Sequence, residues 1–90
     1  MLMNPSVNIN GTSREALVDA RRDAFEAIHA AMNALRETMP HGRDYVGRAH
    51  QFSVDRAIYM ERHAVLSKLS EDLMDEALAI QNAGARGAVV

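Results

Sequence analysis

Apolar residues recur every seven positions along the second half of the chain, at Tyr45, Phe52, Tyr59, Leu66, Leu73 and Ile80. Ile58, Val65 and Ala79 sit one position before three of them, and Ala49, Leu69 and Ala77 lie near the same side. Six positions in one register predict a long amphipathic helix, drawn here from Arg48 to Ala83, residues 48–83, with Gly84 as its C-terminal stop. Ser53 followed by Asp55 offers an alternative start. The first half carries a shorter stripe of the same period, Val18, Phe25, Met32 and Met39, broadened by Ile28 and Leu35 and flanked by Leu17, Ala24 and Ala31. No Gly or Pro occurs from Ser13 to Thr38, so a helix over 13–38 is expected. Thr12 and Glu15 have the spacing of a capping box. Arg21 interrupts the stripe, its stem expected along the apolar surface and its charge at the edge. Arg22 and Glu26 form an exposed i,i+4 pair.

Pro40-His41-Gly42 ends the first helix, because Pro40 disfavours helical geometry at Met39 and Gly42 can take positive φ. Gly47 keeps the following residues irregular. The fold expected is therefore all-α: two long antiparallel helices in a hairpin, with a turn at 39–47, an extended arm over 1–11 and a flexible tail over 84–90. Val7 and Ile9 give the arm one apolar face. Folding at 39–47 pairs residue i with roughly 85 − i, setting Phe25 against Tyr59, Met32 against Phe52, Val18 against Leu66 and Arg14 near Glu71. In that register the end of the second helix overhangs the first by about eight to twelve residues, or ~12–18 Å. Either the arm or a second subunit must cover it, and two hairpins can complete a four-helix bundle by dimerising. The interaction seam expected is Leu66, Leu69, Leu73, Ala77 and Ile80. Charges at Arg48, Asp55, Arg62 and Glu76, three residues after Tyr45, Phe52, Tyr59 and Leu73, argue against a strict two-stranded zipper.

Composition narrows this picture. Of the 43 apolar residues among 90, 15 are alanine, which favours helix strongly but buries little area. Aromatics are confined to Phe25, Tyr45, Phe52 and Tyr59, so a lone hairpin has a thin core and self-association is the prior. The formal net charge of −2 disfavours a general nucleic-acid binder. Absence of cysteine removes disulfides and thiolate chemistry and fits a reducing compartment. The start lacks the basic and apolar regions of a signal peptide, and no run reaches the ~18 apolar residues of a membrane span. A cytoplasmic location is expected, with neither nucleic acid nor membrane as partner; Asn10-Gly11-Thr12 is then an accidental glycosylation match.

Candidate chemistry is sparse. Glu26 and His29 have the Glu-x-x-His spacing of di-iron carboxylate bundles, but Glu26 falls on the outer side of the stripe and His29 at its edge, and the second helix supplies no matching pair and no inward carboxylate other than Asp55. A ferritin-like metal protein using Glu26 and His29 is therefore kept only as an alternative, and no cofactor is expected. His29, His41, His50 and His63 are dispersed and read as surface residues, while Ser67 and Ser70 flank Lys68 on a polar face. No Gly-rich phosphate loop occurs, and a helical hairpin lacks the deep cleft that most enzymes use, so no enzyme is expected. The turn Pro40-His41-Gly42-Arg43-Asp44-Tyr45 is the most distinctive segment. Its His41, Arg43, Asp44 and Tyr45 form a candidate contact tip, although Arg43 and Asp44 can instead satisfy helix-end groups while Tyr45 caps the core. The acidic run Glu71, Asp72, Asp75 and Glu76 reads as a solvated face or a dock for a basic partner.

That turn, between two Ala/Leu-rich helices, resembles small uncharacterised helical proteins encoded in bacterial prophages, and residues 71–80 look like their usual ending. The resemblance implies a mobile-element origin and a compact accessory protein that acts by binding, and it brings no functional residue with it. The function expected is a non-catalytic protein–protein interaction or assembly module whose partner is itself, as a homodimer or larger, or another protein. The alternatives are a phage-type inhibitor or adaptor that docks a host protein through the turn, and the ferritin-like metal protein.

Overall fold

A computed structural model describes residues 1–7 and 11–83 in full and the backbone of 84–89. Ile9 and Asn10 lie outside the described residues. All regular structure among them is helical: α1 spans Arg14–Leu35 and α2 spans Ala49–Val89. Ser13, not Thr12, caps α1. Its backbone is extended (φ −64°, ψ 155°) and its hydroxyl accepts the Ala16 amide at 3.0 Å. Thr12 and Ser13 are equally good caps by type, and the shift by one places Glu15 too early to close a capping box. Ser13→Ala is expected to cost about 1 kcal/mol, read as a lower denaturation midpoint by circular dichroism.

Pro40 shortens α1 as an α-helix. Met39 is extended (φ −60°, ψ 127°), and the turn before it, Arg36–Thr38, tightens to 3₁₀ geometry. The Thr38 hydroxyl donates to the Leu35 carbonyl at 2.7 Å, satisfying one of the acceptors a helix end leaves open. A second 3₁₀ turn, Gly42–Asp44, follows. The left-handed backbone falls at Gly47 (φ 74°) and not at Gly42; Gly47 redirects the chain into α2. That helix begins near Arg48 as expected, with the Phe52 amide bonded to the Arg48 carbonyl, so Ser53 is internal. At the other end α2 passes through Gly84 to Val89. A single helical glycine costs only about 1 kcal/mol, and the alanines around Gly84 favour continuing.

The two helices pack antiparallel, but the register differs from the expected one. Arg21 meets Glu76 at 3.0 Å, where pairing with 85 − i would have set it against Ala64. The slide is twelve residues, about 18 Å of helix. Val18 accordingly packs with Ala77 and Ile80, supported by Leu17, and not with Leu66. Arg14 shares a surface depression with Gln81, far from Glu71. Phe25 lies beside Leu73 and Met74, not Tyr59, and Phe52 packs on Tyr45 with ring centroids 5.4 Å apart, not on Met32. The cause is the connection. Tyr45 folds back onto the first turns of α2, so those turns serve the loop, and α1 meets α2 only beyond them.

The slide removes the overhang. Ala77 and Ile80 are buried within the chain itself (8% and 4% exposed), and Leu66 and Leu73 are half-buried. Four of the five expected seam residues thus belong to the hairpin's own seam; Leu69 alone turns outward. Along α2 the buried or half-buried positions step by four from the stripe, adding His63, Ser70 and Ala77. Small residues occupy two of these sites, and Ser70, expected on a polar face, is buried and donates its hydroxyl to the Ser67 carbonyl at 2.8 Å.

Candidate interaction surface

With the seam placed, the apolar residues left outside it become informative. Val54, Ile58, Val65 and Leu69 are 38%, 39%, 62% and 45% exposed. Their steps of four, seven and four keep them on one face of α2, a little to one side of the seam. On α1 the residues flanking the seam are Leu17, Ala24, Ile28 and Leu35, all half-buried, with Ala31 exposed. The two sets share one side of the hairpin. Arg21, four after Leu17 and three before Ala24, bonds Glu76, seven after Leu69. Beside Val65 and Leu69 they make a surface two helices wide, and Val54 and Ile58 extend it along α2 past the end of α1, where Ile58 lies beside Thr38 and Pro40. The opposite side also exposes Met74 and Leu78 (38% and 49%), but there His29, Glu71 and Asp75 stand beside Phe25 and Met74 around a shallow depression, so its apolar groups are interleaved with charged ones. Ile58 and Val65, expected with the seam, belong to the exposed face because stepping by four turns the seam away from them.

A buried ion pair bounds this surface. The guanidinium of Arg21 donates to Glu76 at 3.0 Å and to the Leu17 carbonyl at 3.2 Å, and both side chains are largely removed from solvent (13% and 7% exposed). Arg21 therefore places its charge in the seam, not at its edge. Met3 of the arm approaches the same guanidinium with its sulfur at 3.8 Å, whereas Val7 is exposed. The charge at Glu76, counted from sequence as unsuited to a helix contact, is neutralised across the seam. Arg22 and Glu26 form no pair among the described residues, where the i,i+4 bridge is Lys68 to Asp72 at 2.9 Å; that bond raises the Lys68 pKa.

At the tip, the expected contact residues divide. His41, Arg43 and Asp44 are exposed, and the backbone at 41–45 closes its own 3₁₀ turn through the Asp44 and Tyr45 amides. Tyr45 is instead fixed, its hydroxyl donating to Asp55 at 2.7 Å; Gln51 donates to the other Asp55 oxygen at 2.8 Å. These bonds explain the tolerated charge at Asp55. The Tyr45 bond, then the Gln51 bond, lower the Asp55 pKa from its ordinary 3.8. The same Tyr45–Asp55 bond raises the Tyr45 pKa above its ordinary 10.0. The latch therefore contributes fully between about pH 4 and pH 10. It weakens in acid as Asp55 protonates below its unfolded value, and in base as pH rises through the raised Tyr45 value. In Tyr45→Phe, the Asp55 carboxyl is expected to return toward 3.8 in a carbon-detected NMR titration; an unchanged value would mean that Gln51 alone holds it.

Glu26 and His29 are both exposed, and His29 lies against the Phe25 ring with centroids 4.3 Å apart. Among the described residues no group of three His, Asp or Glu side chains is placed to hold a metal ion, and no helix is long and apolar enough to cross a membrane. No protein-family model matches the chain, and neither a curated protein nor a solved structure matches it.

Proposed function

We propose that this protein is a non-catalytic helical hairpin that works by protein association, and that its first partner is a second copy of itself. The observation that carries the reading is the unpartnered apolar face on α2, Val54, Ile58, Val65 and Leu69, continued by Ile28 and Leu35 on α1. Single exposed apolar residues are ordinary, but a contiguous face of this kind marks an interaction site. The thin core supports the same reading. Six described residues in the whole chain are buried, and two of them are Ser70 and Glu76, so pairing would add the apolar burial that a small hairpin lacks. Thermal unfolding tests this directly, because a dimer that unfolds to separate chains melts at a temperature that rises with concentration. The midpoint is expected to rise over about a hundredfold range of protein concentration; a constant midpoint opposes self-association.

The exposed tip supports a second reading, a phage-type adaptor that docks a host protein through His41, Arg43 and Asp44. Joint replacement of Arg43 and Asp44 by alanine is then expected to abolish capture of that protein while leaving the melting behaviour unchanged.

A further inference from the structure

Resting on that self-association, we infer that two copies pair antiparallel along α2, about a two-fold axis at the level of Glu61 and Arg62. An isologous interface requires a surface that matches its own reverse. The exposed stripe of α2 has this property: Val54, Ile58, Val65 and Leu69 are spaced four, seven and four, the same in either direction. Reversed on itself, the stripe sets Val54 of one copy at the level of Leu69 of the other, and Ile58 at the level of Val65. The midpoint falls between Glu61 and Arg62, which stand at opposite edges of the stripe and are both exposed. Their long side chains leave the central contact to the apolar groups.

Charge selects between the two ways of laying one such face on another. A two-fold axis parallel to the helices brings the two tips together; an axis perpendicular to them sets each tip beside the open end of the other copy. The tip half, residues 36–62, holds five arginines against four carboxylates, a formal +1. The open half, residues 11–35 and 63–89, holds four arginines and one lysine against eight carboxylates, a formal −3. The parallel axis therefore places two acidic ends side by side, whereas the perpendicular axis places each acidic end beside a tip of formal +1. Surface charge of this kind fixes orientation more than it adds affinity. It acts within the ~8 Å over which physiological salt leaves charges unscreened. The perpendicular axis is also the one that lays α2 against α2, as the reversible stripe requires.

The chain contains no cysteine, so single cysteines report geometry without background. Glu61→Cys is exposed and outside the seam, and under mild oxidation or with a short bis-maleimide it is expected to link to itself. Val54→Cys and Leu69→Cys are each expected to stay unlinked alone, because like positions then lie about 22 Å apart along the helix. Mixed together, these two variants are expected to link to each other. Sedimentation of each variant in parallel separates the two failures. A dimer that links Val54→Cys to itself, or that leaves Glu61→Cys unlinked, overturns the antiparallel geometry and leaves self-association standing. A monomer in every sample, wild type included, removes both.

Discussion

Glu76→Ala is expected to destabilise the fold by about 3–5 kcal/mol, because it leaves the Arg21 guanidinium buried without its counter-charge. Small domains are stable by only about 5–15 kcal/mol, and this core is thin, so the variant should be largely unfolded at moderate denaturant. Arg21 lies half-buried in the seam beside the core, with Leu17 and Glu76 as its acceptors, and alanine replaces neither the charge nor the hydrogen bond. The double variant Arg21→Met with Glu76→Leu should recover most of the loss, since apolar pairs of similar volume often equal buried ion pairs in stability. Urea denaturation followed by circular dichroism measures both. A Glu76→Ala midpoint within about 1 kcal/mol of wild type would mean that the pair behaves as a surface bridge. The pair also fixes register. Helices this rich in alanine can slide by a heptad at small apolar cost, and one buried hydrogen-bonded charge pair penalises every other alignment.

The second large effect separates the two apolar surfaces of α2. Val65→Asp together with Leu69→Asp is expected to abolish self-association while retaining the hairpin, because both side chains are well exposed in the single chain. A carboxylate forced into an apolar interface costs several kcal/mol, so affinity should fall by at least about a hundredfold. Leu73→Asp should behave in the opposite way. Half-buried in the hairpin seam, Leu73 is needed for folding, and its replacement should reduce helicity at every concentration. Size-exclusion chromatography with circular dichroism on both variants distinguishes them. Loss of helix in the Val65/Leu69 variant would place those residues in the seam after all.

Much of this architecture was legible in the sequence. The seven-residue repeats gave two helices, and Pro40 and Gly47 gave the break between them, because periodicity and backbone restriction are local properties. Register was not local. It depends on Tyr45 folding onto Phe52 and Asp55, a contact that uses up the first turns of α2, and on Arg21 finding Glu76 fifty-five positions away. Opposite charges in two helical stripes were visible, but each was read against its own helix, not across the seam. The exposed face was misassigned for a related reason. Seen from one helix, Ile58 and Val65 adjoin the main stripe; which of them turns outward depends on whether the seam steps by three to Asp55 and Arg62 or by four to His63 and Ser70. Ser70 and Ala77, spaced seven apart and small, were the signal that could have shown it, since close helix approach favours small residues at the contact.

Sedimentation equilibrium of the untagged wild-type chain, across a dilution series, is the most direct test of association through the exposed face of α2. The expected result is a mass approaching twice the 9.9 kDa of one chain at higher concentration, reverting to a single chain in the Val65→Asp/Leu69→Asp variant. A wild-type mass that stays at one chain throughout, or a variant that assembles as wild type does, would contradict it.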